Sequence, residues 1–267
     1  MTDDLWTSES VSVTVTGYVA ELTLTRPEVD NRMDAALHGD LIEALAAVRA
    51  NRDLRAMVFA STGRKFAAGA DFEFLTGLHD HSDRRYAIID EGKRLLTGFM
   101  DQQIPVVAAL HGDAIGLTCT LAMTCDAIVA HPAVRLADPH VLLGLVAGDG
   151  GCVVWPSSAG IIRARRHLMT GDPLTAADAV ALGIVTDLVA TADDVLPAAR
   201  HLAGRMAAMP PLALQGTKRA LNRVLQQRAG EVVDLSFAEE ETTLASDDLI
   251  EGITAFRERR QGDYRGR

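Results

Sequence analysis

LADPHVLLGLVAGDGGCVVWP, residues 136 to 156, puts an imidazole, His140, nine residues before a carboxylate, Asp149, inside an apolar and glycine-rich run. Nine residues do not share one helical face. For the two groups to act together, the turn from Gly144 to Gly148 has to fold them towards each other. An aspartate that accepts the Nδ1 proton of a histidine fixes its tautomer, raises its basicity and frees the other nitrogen to take a proton from water. The plainer account is that His140, following Asp138-Pro139, is a turn residue and that Asp149, preceding Gly150-Gly151, caps a helix. Taken alone, the stretch favours that plainer account.

Composition sets the frame around it. With 267 residues, 48% of them hydrophobic, the chain can bury a sizeable core. No run approaches the roughly 18 apolar residues of a membrane span, and Met1 to Ser12 is acidic and polar, unlike a signal peptide. A cytoplasmic protein without a membrane partner is expected. The charge of −10, from 26 basic and 36 acidic residues, argues against a nucleic-acid partner. It leaves room for an anionic small ligand held by a few local cations such as Arg26, Arg64 and Lys65. Cys119, Cys125 and Cys152 lack metal-ligand spacing and read as buried reduced thiols. Neither a metal cluster nor a dinucleotide fingerprint is visible, so no metal or redox cofactor is expected.

Before the His140 stretch, Val11 to Leu24 reads as a hairpin about Gly17, and Leu37, Leu41, Leu45 and Val48 give an amphipathic helix from Asp34. Met57 to Ala60 is the next strand. RKFAAGADFEFL, residues 64 to 75, has small side chains that let a backbone amide approach a ligand, with Gly69 permissive and Asp71 a cap for the helix that follows. Arg84 to Met100 is helical, with Tyr86, Ile89, Leu96, Phe99 and Met100 on its apolar face. Ile104 to Leu110 is a buried strand, and a helix of small residues starts near Gly116. Amides at that start, paired with one from the Ala68 to Ala70 turn, would form an oxyanion hole for a thioester or ketone oxygen.

After it, Gly150 to Trp155 and Ile161 to Met169 begin further helices, and Thr175 caps a helix over 176–182. Pro197 to Met209, Pro211 to Gln227 and Glu231 to Ala245 are predicted as three helices. Glu239, Glu240 and Glu241 read as a solvated helix face.

The ordered set of motifs resembles the crotonase, or enoyl-CoA hydratase/isomerase, superfamily. It is carried by Arg26-Pro27, FAAGAD at 66–71, IPVVAALHG at 104–112, LAMTCD at 121–126, LADPHVLLG at 136–144, the spaced small residues of 171–185 and EGITAFRERR at 251–260. The resemblance implies an α/β fold, a spiral of ββα turns over 1–195 that carries the active site. A helical C-terminal oligomerisation region over 196–267 is expected to make homotrimers or dimers of trimers. It places the oxyanion amides on Ala70 and Leu117, the latter a glycine in most members. Arg26, Ala68, Gly69, Asp71, Gly116, Thr120, Gly148 and Lys218 are implied to contact substrate, Lys218 through the nucleotide of coenzyme A, which enters only as part of the substrate.

Two departures bear on mechanism. The positions at which typical hydratases carry two glutamates hold Thr120 and His140, and a threonine hydroxyl alone is no base at neutral pH. A branch resembling 6-oxocamphor hydrolase, which cleaves cyclic β-diketones by a retro-Claisen route, shares the His140–Asp149 spacing and the GDG and Trp-Pro that follow. An enzyme acting on an acyl-CoA thioester with a His140/Asp149 base is therefore expected, with a β-dicarbonyl C–C hydrolase as the alternative and a non-catalytic acyl-CoA-binding paralogue as a third reading. With 4% aromatics, the pocket walls should be mainly aliphatic.

Overall fold

The hairpin forms where alternation and Gly17 place it. In the computed structural model, which describes residues 2–267, β2 (Val11–Thr16) pairs antiparallel with β3 (Val19–Leu24) in the register Val11↔Leu24, and Val13, Ala20, Leu22 and Leu24 are fully buried. One strand was not expected: Thr2–Thr7, read as part of a polar terminus, forms β1 and edges the sheet against β2. Backbone pairing, not apolar alternation, builds it, so its side chains gave no signal.

The α1 helix (Ala35–Ala50) starts at Asp34, whose carboxylate accepts from the Leu37 amide, and buries Leu37, Leu41, Leu45 and Val48. Thereafter the chain repeats a unit. One strand enters a large sheet, a short strand enters a second sheet, and a helix returns: β4 (Ala56–Ser61), β5 (Ala67–Ala68) and α2 (Phe72–His79), with α3 (Ser82–Met100) added. The next turn is β6 (Val106–Leu110), β7 (Ala114–Ile115) and α4 (Leu117–Met123). Then come β8 (Ala127–Ala130), β9 (Arg135–Ala137), a 3-10 turn at His140–Leu143, α5 (Gly151–Ala159) and α6 (Ile161–Thr170). The spiral closes with β10 (Leu174–Thr175), α7 (Ala176–Val180) and β11 (Asp187–Leu188).

The large sheet runs β1-β2-β3-β4-β6-β8-β11, parallel from β3 onward, and the small one runs β10-β9-β7-β5. Each short strand follows a long one in the chain, which places the small sheet beyond the carboxyl ends of β4, β6 and β8. That is the expected spiral of ββα turns.

Beyond the spiral, α8 (Val195–Ala207) covers the back of the sheet, packing Val195, Ala199 and Ala203 on Val58, Val107 and Val129. The two helices predicted over 211–245 are one, α9 (Pro211–Leu244), because Gly230 alone does not break a pattern that packs on both sides of it. The last helix, α10 (Asp247–Glu258), lies on α2 and on the His140–Leu143 turn, burying Leu249 and Ile253 with Leu75, Leu143 and Leu145. Tyr86, assigned to the apolar face of α3, is 64% exposed, while Leu95, Leu96 and Phe99 carry the packing. Among the described residues no helix is long and apolar enough to cross a membrane.

Candidate active site

Two short strands of the small sheet bring the expected amides together. Met33 bridges Ala70 in parallel, giving its N–H to Gly69 O and accepting from Asp71 N, both at 2.8 Å. In such a bridge Ala70's own N–H points away from Met33, and Ala70 lines a cavity of about 370 Å³. Leu117 is the first residue of α4, where an amide has no partner within the helix, and it lines the same cavity.

Between them sits Gly116, at φ +64°, with its amide given to Ala137 O at 2.8 Å. A Cβ there would lie 3.7 Å from Gly69 Cα and 3.8 Å from His140 Cε1, so both amide-bearing turns and the imidazole converge on this point.

His140 is held differently from the expected dyad. Its Nδ1 bonds to Asp138 Oδ1, two residues back, and its Nε2 faces Asp149 Oδ2 at 3.3 Å. Asp149 therefore does not orient the ring through Nδ1; Asp138 does. The turn residue of the plainer account is part of the cluster.

A tight packing constraint explains how Asp138 fits. A Cβ on Gly151 would fall 2.3 Å from Asp138 Oδ2, so only glycine at the start of α5 leaves room for the carboxylate. Burial opposes a charge on His140, but the fields of Asp138 and Asp149 and the hydrogen bonds to both outweigh it and raise its pKa well above the ordinary imidazole value. The imidazolium is the form that these partners favour. It bonds to Asp138 through Nδ1 and pairs with Asp149 through Nε2, so neither nitrogen is a free base.

A fourth group completes the cluster. Glu240, 8% exposed on α9, lines the cavity and leaves Oε2 without a hydrogen-bond partner among the described residues. Burial first, and then the charge of Asp149, raise its pKa well above the usual carboxylate range, with His140 opposing, so the neutral carboxyl is the favoured form. Asp149 Oδ1 is buried and equally unpartnered among these residues. The acidic run 239–241 was read as a solvated face, and the signal for the exception was helical phase. With Ser236 and Phe237 also buried, residue 240 falls on the face of α9 turned to the spiral.

Other expected contacts lie elsewhere. Lys218 is 5% exposed and donates to Ile104 O and Asp126 Oδ2 at 2.8 and 2.6 Å, tying α9 to the sheet away from the cavity. Arg26 is spent on Asp34 at 2.7 and 2.9 Å and on Arg32 O. Asp71 caps α2 and pairs with Arg32 at 3.0 Å. Thr120 is fully buried under Gly150, and Gly148 is covered by α9, its carbonyl accepting from Ser236 Oγ at 3.0 Å. Ala68, Gly69 and Gly116 do line the cavity.

The cations at the mouth are instead Lys65 and Arg135, paired with Asp30 and Asp113. They also border an adjoining groove with Arg64, His111 and His131.

Lys218→Met is expected to cost about 2 kcal/mol of stability, by leaving the buried Ile104 carbonyl without its donor and Asp126 without its cation. Affinity for a CoA thioester should not change, and equilibrium unfolding beside ligand titration reads both.

The cysteines are unreactive: burial pushes Cys119 and Cys125 far up and Cys152, beside the cluster, to about 11. The spacing of the chain showed no metal cluster, yet single donor atoms of Asp138, His140 and Asp149 lie within 4.8 Å of one another. A cation there would have to displace the contact between His140 and Asp149, since both ring nitrogens already face carboxylates.

A family model described as enoyl-CoA hydratase/isomerase matches residues 14–267. The chain is 34% identical over 248 residues to 2,3-dehydroadipyl-CoA hydratase of Escherichia coli (strain K12), covering 92% of this chain and 94% of that one. Among solved structures it is similar to an enoyl-CoA hydratase/isomerase from Mycobacterium paratuberculosis, with TM-score 0.89, 31% identity, and 92% and 98% of the two chains covered. It is also similar to a β-diketone hydrolase from the cyanobacterium Anabaena sp. PCC 7120 bound to (S)-3-oxocyclohexyl acetic acid, with TM-score 0.82, 26% identity, and 89% and 94% covered.

Proposed function

Because the chain belongs to the enoyl-CoA hydratase/isomerase family, we propose that it hydrates an enoyl-CoA thioester with Asp149 and Glu240 in place of the usual pair of glutamates. The observation that carries this is the pair itself. Two buried carboxyl groups, each with an unpartnered oxygen, come from different elements to one cavity beside two oxyanion amides. Environments that hold one carboxyl neutral beside a charged one assign acid and base.

The steps follow from those charges. The thioester oxygen accepts from the Ala70 and Leu117 amides. Asp149 takes a proton from water as the water oxygen bonds to the β-carbon, and the electron pair moves onto the thioester oxygen. Glu240 then gives its proton to the α-carbon as the enolate collapses. A proton passing from Asp149 to Glu240 restores the resting pair. His140 stays an imidazolium, holding Asp149 in place and stabilising its charge. Asp138 holds the ring.

The pantetheine arm would pass Ala68 and Gly69, leaving the nucleotide phosphates over the groove bordered by Arg64, Lys65 and Arg135. Assembly into trimers belongs to the same proposal, supported by exposed Ile161, Ile162, Leu221 and Val224, and sedimentation of the full chain reads it.

The test is turnover of crotonyl-CoA, followed by loss of its conjugated-enoyl absorbance. Hydration by the wild type supports the reading and removes the non-catalytic one. Absence of turnover together with hydrolysis of a cyclic β-diketone would move the assignment to C–C bond cleavage, with Asp149 delivering water to a carbonyl carbon. The contact between His140 and Asp149 and the likeness to the β-diketone hydrolase favour that second reading.

A further inference from the structure

His38 lies one turn into α1, and none of the chemistry above uses it. It is 6% exposed, yet it lines the cavity with Met33 and Phe74, its ring 6.4 Å from the Phe74 ring. Its Nδ1 has no hydrogen-bond partner among the described residues.

The nearby acid does not satisfy it. Asp34, which caps the same helix, accepts from Arg26 at 2.7 and 2.9 Å and from the Leu37 amide at 2.9 Å. Burial lowers the imidazole to about 4, with Asp34 the one charge opposing, so the ring is neutral and the carboxylates around His140 do not act on it. A neutral imidazole offers one donor and one acceptor. Nδ1 is shut off from solvent but Nε2 is not, and a purely alkyl ligand would leave Nε2 unpaired at a cost that an oxygen function on the ligand would remove.

We infer that His38 is a specificity-determining residue that hydrogen-bonds a neutral oxygen, keto or hydroxyl, carried on the acyl group of the substrate. This rests on the thioester reading and narrows it. A terminal carboxylate is not the group selected. Lys65, Arg135 and the His140 imidazolium are the lining cations among the described residues; each is already paired with a carboxylate, and the first two border the mouth groove. A carboxylate brought against a neutral ring would lose its hydration without a counter-charge.

The experiment is calorimetric titration of hexanoyl-CoA, its 3-, 4- and 5-oxo analogues and adipoyl-CoA into the wild type, His38→Leu and His38→Gln, with thermal unfolding to establish that the variants fold. At one oxo position the wild type is expected to bind about tenfold more tightly than it binds hexanoyl-CoA or adipoyl-CoA. His38→Leu should abolish that preference while binding hexanoyl-CoA at least as well, and His38→Gln should keep most of it. An unchanged preference in His38→Leu, no preference in the wild type, or adipoyl-CoA binding most tightly would each overturn the inference. If no thioester binds, the thioester reading fails by itself, and the comparison is made with 2,2-dimethylcyclohexane-1,3-dione, which stays neutral, against 2,2-dimethylcyclohexanone. Loss of the dione's advantage in His38→Leu then supports the role of His38, and an equal advantage overturns it.

Discussion

Asp149→Asn is expected to lower kcat for enoyl-CoA hydration by about a thousandfold while leaving KM within a factor of about three. The amide keeps the shape and can still meet His140, but it cannot take a proton from water. Glu240→Gln removes the other half of the exchange and should cost about a hundredfold or more in kcat. Combining the two should cost little beyond the larger single effect, because both serve one proton exchange. Strictly multiplicative losses would show that the two carboxyls do not act as a pair. Stopped-flow single turnovers separate the chemical step from product release and make the comparison direct.

The same pair predicts how stability varies with pH. Glu240 has its folded pKa raised, by burial and by Asp149, above the value it would have unfolded. Its contribution is therefore fully present below the ordinary carboxylate range and is lost as pH rises through the raised value. Gln cannot ionise, so Glu240→Gln escapes that loss. Between about pH 5 and about pH 8 the stability difference should move in favour of the variant, as read by denaturant unfolding at each pH. His140 is also raised, so its contribution is present below the ordinary imidazole value and lost as pH rises through its own. It is common to both proteins and cancels from the difference to the extent that its own pKa is unaffected by Gln. A difference that shifts towards the wild type would mean that Glu240 is ionised in the folded protein.

Gly148→Ala is expected to cost about 3 kcal/mol of stability and most of the activity. The added Cβ would fall 2.4 Å from Ser236 O, 2.5 Å from Glu240 Cβ and 2.7 Å from Glu240 Oε2. The first of these is helix backbone and cannot rotate away. Either α9 lifts or the loop before Asp149 retreats, and each displaces one member of the acid–base pair. Thermal unfolding and kcat should fall together. A variant with the wild-type melting temperature and kcat would mean that α9 does not rest on this loop.

Much of this was legible in order along the chain. The hairpin about Gly17, α1 from Asp34, the cap at Asp71, the buried strand after Ile104 and the glycine before α4 follow from periodicity and turn chemistry, which act over a few residues. The turn at Ala68 to Ala70 and the start of α4 could be placed for the same reason, since small residues and a glycine mark them locally.

Side-chain partnership was not legible in that way. His140 has Asp138 two residues before it and Asp149 nine after, and spacing alone did not choose between them; the resemblance pointed to the second as the orienting group. The fold gives Nδ1 to Asp138 because Gly151 leaves space for it, and brings Asp149 round to Nε2. The resemblance put Lys218 at the nucleotide of coenzyme A, and only the packing of α9 on the sheet shows it buried against Asp126. Glu240 was one of three adjacent glutamates, and His38 one histidine on an otherwise ordinary amphipathic helix. Local sequence sets backbone conformation through short-range sterics and hydrogen bonds. The charge state of a carboxyl or an imidazole depends on desolvation and on fields from elements distant in the chain, and these exist only once the spiral and α9 have closed around the cavity.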